Sequence, residues 1–466
     1  TGNYTGTGAL SSTNGPISIH SSGTTALDAN ITSGSGAILV KSVGRITTGA
    51  GTSLAPRTLA TASAPITLWT TGSTGGVEFG NYAKLETTLS STAGADITIG
   101  GGSASSSDAT RPSASATSSN NHAVRIGNSH LTGLFVARAG TGTFSIKGSY
   151  TGATSGAYSG VELYAGYDIL AGKVFIDGQS TSAVNDTAQA GVNSYSATTV
   201  KSVIEATSDG NSSNTLEILG SSANAYGALL GSASTSTDYI ILRASGSNAG
   251  IKVTGLTSKV ASGAAGLFVG STTIETANGP ATLDSGDKPI GLGRTGRIFT
   301  YRPVTGEPGG DLLIVSAGRD SLSESVATSI TTDGKVSFVP AGNSFTAALT
   351  FPASGSTTDV GELEVGSATN TQSLTSAAAI TAAGDVTYLG GDQSVTGAIT
   401  TTNSGNIEFY PSGTFTKSTN LFNSAGSILL ATASSPASSV TLSTATLTAA
   451  ADVKIYSTGT ITQGAA

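Results

Sequence analysis

One phrase returns at a nearly fixed interval near the C-terminus of this chain, and it limits the folds open to it more than any other feature. Gly384-Asp385-Val386-Thr387-Tyr388, Gly405-Asn406-Ile407-Glu408-Phe409, Gly426-Ser427-Ile428-Leu429-Leu430 and Ala451-Asp452-Val453-Lys454-Ile455 place their first apolar residues 21, 21 and 25 positions apart. Gly361-Glu362-Leu363-Glu364-Val365 precedes the first by 23, and Ile17 and Ile38 near the N-terminus are again 21 apart. A second, weaker strand follows eight residues after the first in several units, as from Ile38 to Ile46, Ile407 to Phe415 and Val453 to Ile461. Each unit therefore reads as strand, turn, strand, turn, often with a third strand.

Within the units the pattern is apolar-x-apolar, as in Ile66-Thr67-Leu68, Ile97-Thr98-Ile99, Val124-Arg125-Ile126, Phe144-Ser145-Ile146 and Ile251-Lys252-Val253. Period two means strand, each run three to five residues long and bracketed by Gly, Asn, Asp or Ser as turn formers. No stretch of ten residues carries a helical stripe; the Ala-rich run 376–383 is too short for one.

A unit of 20 to 25 residues with such short strands cannot enclose a core alone, but it can if each unit stacks on the one before. The expectation is an all-β fold, a right-handed parallel β-helix with loop insertions, in which inward Val, Ile, Leu and Phe form one apolar column. Roughly 20 coils at about 4.7–4.9 Å would extend on the order of 100 Å. The alternative is an array of β-sandwich domains, which fits the strand spacing but not a recurrence every 21 residues. Along the chain the reading is coils over 1–110, irregular coils with Ser/Thr/Ala-rich insertions over 111–290, and regular repeats over 291–466. Loop insertions are expected at 100–121, 179–199, 221–237 and 321–332, where large apolar residues are sparse.

Composition agrees with a rod's skin. Gly supplies 63 of 466 residues and Ser plus Thr roughly 140, while only 11% are charged. Such a chain would be disordered if its apolar residues were scattered, but 37% are hydrophobic and they cluster in the strand phrases. The net charge of −7, with no basic run, speaks against nucleic acid, and no run of 18 apolar residues exists to span a bilayer as a helix. With neither Cys nor Met, the chain has no disulfides. It begins without Met and ends within a strand pattern, which reads as a piece of a longer polypeptide.

Candidates for chemistry are few. The three histidines are His20, His122 and His130; the last two lie eight apart, but no acidic residue sits at ligand spacing, so no metal site is expected. No cofactor is implied. Asp96, Asp311, Asp385 and Asp452 each stand just before a strand, and that regularity points to a turn role in which the carboxylate accepts a backbone N–H. Glu362, Glu364 and Glu408 read as solvated. One basic-aromatic patch stands apart: Arg294, Arg297, Phe299, Tyr301 and Arg302, with Lys288 nearby. It reads either as a site for a carboxylate or glycan anion or, preferred here, as long side chains that cover a break in the stack.

The phrases Leu447–Ile455, Ser457–Thr462 and Ile380–Thr387 resemble the repeats of filamentous-haemagglutinin-like exoproteins of Gram-negative bacteria, and Gly296–Tyr301 is similar to a segment of some large adhesins. The resemblance implies a secreted β-helical protein, exported through an outer-membrane barrel partner and located at the cell surface or in the matrix of a biofilm. It implies adhesion, aggregation or matrix building, with a surface glycan or protein or a second copy as partner; the residues themselves lead to no expectation of enzymatic activity. The N-terminal secretion domain of that family is not in this sequence. Two other readings are a β-helix polysaccharide-degrading enzyme, whose acids and bases would have to converge on one face, and an S-layer or sheath lattice protein.

Overall fold

The computed structural model describes residues 2–464 apart from 73–74, 90–92, 101–113, 117–121, 128–132, 152–157, 165, 182–189, 195–200, 211–213, 232–239, 260–264, 294–298, 321–322, 324–325 and 419. Every described element is a β-strand and every strand pairing is parallel, so the chain is a parallel β-helix and not a row of sandwiches. It divides into two compact units, Thr1–Thr273 and Ile274–Ala466.

In the first unit each coil contributes three strands to three ladders. One ladder aligns Tyr4, Thr25, Ile46, Val77, Val124, Val161, Val192, Ala228 and Leu267. A second aligns Leu10, Ile31, Leu59, Leu85, Ala137, Ile169, Ile204 and Leu242. The third aligns Ile17, Ile38, Ile66, Ile97, Phe144, Val174, Leu216 and Ile251, which are 21, 28, 31, 47, 30, 42 and 35 residues apart. Strand register here is set by burial: a slip of one residue would turn Ile38, Val40, Ile66 and Leu68, all fully buried, toward solvent.

The second unit repeats the plan. One of its ladders aligns Ala281, Leu312, Val336, Leu363, Val386, Ile407, Ile428 and Val453. The recurring sequence phrases are therefore successive rungs of one ladder. A second ladder aligns Ile330, Thr358, Ile380, Ile399, Phe422 and Leu447, and a third Leu349, Leu374, Gln393, Phe415, Val440 and Ile461. Aromatic rings stack inside the column: Tyr388 lies 5.1 Å from Phe409 at 17°, and Phe409 lies 5.5 Å from Phe422 at 4°. Each fully buried Ile, Leu, Val or Phe in the column contributes about 1.5–3 kcal/mol, opposed by the entropy of ordering its coil.

Three expectations are corrected. Strands are not limited to three to five residues: Thr143–Tyr150, Lys173–Ser180 and Asn214–Ser222 are longer, and Thr328–Pro340 runs to 13 because it turns a corner and serves two ladders, with a register shift between Thr332 and Lys335. The described ladders hold eight or nine rungs in the first unit and at most eight in the second, fewer in total than 20 coils, because inserted residues lengthen coils without adding any. The weak stretches also contribute rungs: Val192–Ser194 and Ala228–Leu230 are buried strands within two of them, and Ala114–Ala116 is a strand within a third. The rest of 100–121 lies almost wholly outside the described residues.

Where strands of the first unit run long, the backbone pinches. A Cβ on Gly148 would fall 2.2 Å from the carbonyl oxygen of Gly160, so only glycine permits the two segments of one coil to touch. Beyond such pinches lie satellite cores, one of Ala123 and Tyr150 against Tyr158, another of Ala190, Tyr226, Leu229, Ala265 and Phe268. They cover outward positions that would otherwise face water, which places Glu162, Asn193, Leu229 and Phe268 among the buried residues.

Candidate functional site

Of the basic-aromatic patch, Phe299, Tyr301 and Arg302 are among the described residues, and they do not share one face. Phe299 and Tyr301 occupy inward positions of the strand Phe299–Pro303 and are fully buried. The Tyr301 hydroxyl lies 2.9 Å from that of Thr276 and donates to the Gly310 carbonyl at 2.8 Å; burial pushes its pKa up to about 12. Arg302 points outward and grips the buried carboxylate of Glu275 with Nε at 3.0 Å and Nη2 at 2.6 Å. Arg294 and Arg297 lie outside the described residues.

The conserved geometry of rungs gathers a different cluster in the first unit. The triplets Val77-Glu78-Phe79, Val124-Arg125-Ile126 and Val161-Glu162-Leu163 pair in register, which lines up Glu78, Arg125 and Glu162 on the outward side. Arg45 Nη2 meets Glu78 at 2.5 Å, Arg125 Nε meets Glu162 Oε2 at 3.0 Å, and the Arg125 guanidinium sits 4.5 Å from the ring centroid of Tyr164. His122 adds to this row: its Nε2 is 2.8 Å from Glu162 Oε2, and its Nδ1 accepts the Ser159 backbone N–H at 3.0 Å. The contacts of His122 Nε2 and Arg125 Nε with Glu162 Oε2 are ion-pair distances and not well-aligned hydrogen bonds. Tyr158 closes over the imidazole edge-on at 5.3 Å.

His122 is 5% and Glu162 3% exposed, and the carboxylate lies between the His122 ring and the Arg125 guanidinium. The arrangement joins one coil to the next and holds the imidazole away from solvent. Sequence reasoning singled out His122 but looked for its partner locally. Glu162 is 40 residues away and one coil along, and only aligning the apolar-x-apolar triplets would have found it. His130 lies outside the described residues, and His20 is exposed. Among the described residues no three His, Cys, Asp or Glu side chains are placed to hold a metal ion, and no helix is long and apolar enough to cross a membrane.

The repeat-locked acids do accept backbone N–H groups, but across coils instead of within their own turns. Asp96 Oδ1 receives Thr143 N at 2.8 Å, Asp311 Oδ1 receives Lys335 N at 2.8 Å, and Asp385 Oδ1 receives Asn406 N at 2.7 Å. Asn406 passes the pattern on, its Oδ1 accepting Ser427 N at 2.8 Å. Asp452 differs: its carboxylate pairs with Lys454 Nζ at 2.8 Å, which holds its pKa below the usual range.

The second unit carries one unusual inward group. Lys417 sits between Val395 and Leu442 in the buried register and is 0% exposed. Its Nζ donates to the Gly397 carbonyl at 2.6 Å and lies 4.7 Å from the Phe422 ring centroid, and burial lowers its pKa from 10.5 to about 8.

No protein-family model, no curated protein and no solved structure matches this chain.

Proposed function

We propose that this chain is a non-enzymatic, extracellular structural and adhesive protein whose β-helix supplies rigidity and a neutral, hydroxyl-rich surface, and whose coils associate end to end. The observation that carries the reading is the parallel backbone pairing of coil on coil, as along Val386, Ile407, Ile428 and Val453. A strand that pairs in parallel with the next coil of its own chain pairs in the same way with a coil of another copy, the mode by which strand edges recruit other chains. The resemblance of residues 380–462 to exoprotein repeats supports the surface location and adhesion. A coil supplied by another copy makes a head-to-tail contact, which grows a filament.

Purified chain should elongate with concentration in light scattering and show fibres in negative-stain micrographs. Monomers at all concentrations for the parent chain would sink end-to-end assembly. Micrographs of a two-dimensional lattice on the native surface would favour the lattice reading.

A further inference from the structure

The third ladder of the second unit carries a continuous column of hydroxyls on its outward side. Thr350, Thr375, Ser394, Thr416, Thr441 and Thr462 are mutual register partners over six successive rungs. Their neighbours along each strand point inward: Phe415 and Lys417 flank Thr416, Val440 and Leu442 flank Thr441, and all four are buried. None of the six hydroxyls hydrogen-bonds to another protein group, although elsewhere in this unit Thr332, Thr401 and Ser424 spend theirs on backbone carbonyls. The column itself is uncharged; at its border Asp392 is engaged by the N–H and hydroxyl of Thr414. The outward column on another face is different in kind, running Glu364, Thr387, Glu408, Leu429 and Lys454.

We infer that this column is a docking track for an uncharged, extended polysaccharide lying along the coil-stacking direction, about one sugar per rung. The inference rests on the surface-adhesive reading above and names its partner class. Charge complementarity selects that partner. A row of neutral hydroxyls both donates and accepts, as sugar hydroxyls do, whereas an anionic polymer would leave its charges without counter-groups on this track. Rungs repeat at about 4.7–4.9 Å, close to the advance of one sugar in an extended β-linked chain, so each rung meets a sugar and alternate sugars present the same edge to the track. Backbone hydrogen bonds hold the column rigid, and little ordering is required at the moment of binding. Each hydroxyl contact is weak, so retention grows with the number of rungs engaged.

The test is sedimentation of the full chain with insoluble cellulose and with chitin particles, alginate beads serving as the anionic comparison. The parent chain should co-sediment with at least one neutral polymer. Thr416→Val with Thr441→Val keeps β-branching and side-chain shape while removing two hydroxyls, and should weaken retention at least threefold; Thr416→Lys with Thr441→Lys should abolish it. Thr387→Lys, on the other face, should bind as the parent does. Circular dichroism and melting establish that each variant is folded. Binding to alginate alone, unchanged binding by both double variants, or no uptake of either neutral polymer would each overturn the track. Because assembly is read separately by light scattering, loss of glycan binding with assembly intact rejects the track and leaves the scaffold reading in place.

Discussion

The Asp385 carboxylate accepts the backbone N–H of Asn406, 2.7 Å away and one coil further on, and the side chain of Asn406 repeats the contact to Ser427. A side chain at a corner therefore closes a backbone donor of the next coil, which the strand ladder leaves unpaired at its end. Asp385→Ala should lower stability by about 1–2 kcal/mol, as for a lost hydrogen bond to a charged acceptor, while Asp385→Asn keeps an acceptor and should lose less than half of that. Urea unfolding followed by circular dichroism checks both, read as midpoint shifts because a stacked array need not unfold in one step.

Gly405 marks the same corner. A Cβ there would fall 2.2 Å from the Gly384 carbonyl oxygen and 2.5 Å from its carbonyl carbon, backbone with no flexible side chain to yield. Gly405→Ala should cost about 1–3 kcal/mol through overpacking, whereas Ser404→Ala, at an exposed neighbour, should leave the urea midpoint nearly unchanged.

Lys417 gives the chain a signed pH response. Its pKa is about 8 when folded and 10.5 when unfolded, so between those values the unfolded state binds more protons and stability rises with pH. Below pH 8 both states are protonated, and the folded state carries the full cost of a buried ammonium. Lys417→Leu should raise stability at pH 7 by on the order of 2 kcal/mol, and the gain should shrink as pH climbs from 8 toward 10.5. Melting curves of both proteins across that range test this; a gain that stays constant with pH would count against a buried charge at this position.

In the first unit, Glu162→Ala would leave Arg125 and His122 facing each other across an empty, buried position. Breaking such a network by removing one partner costs about 3–5 kcal/mol. Pairing Glu162→Ala with Arg125→Ala should recover part of the loss, and a double-mutant cycle by urea unfolding measures the coupling.

Much of this architecture is legible in the amino-acid order alone. The apolar-x-apolar triplets place Ile17, Ile38, Val386, Ile407 and Ile428 on strands with their side chains inward, and the 21-residue recurrence identifies them as rungs of one kind, because period two and a fixed coil length are local properties. The same order could not place Phe299 and Tyr301. Their spacing beside arginines leaves a ligand site and a structural cover both open, yet alternate positions on one strand share a face, and that face is the core. Column membership was decided only by the tertiary structure. His122 meets Glu162, and Thr416 lines up with Thr441, because of how many residues each coil inserts before it returns. Those insertions vary from coil to coil, so register between coils is set by burial of successive rungs and by the hydrogen bonds that join them, which no local pattern encodes.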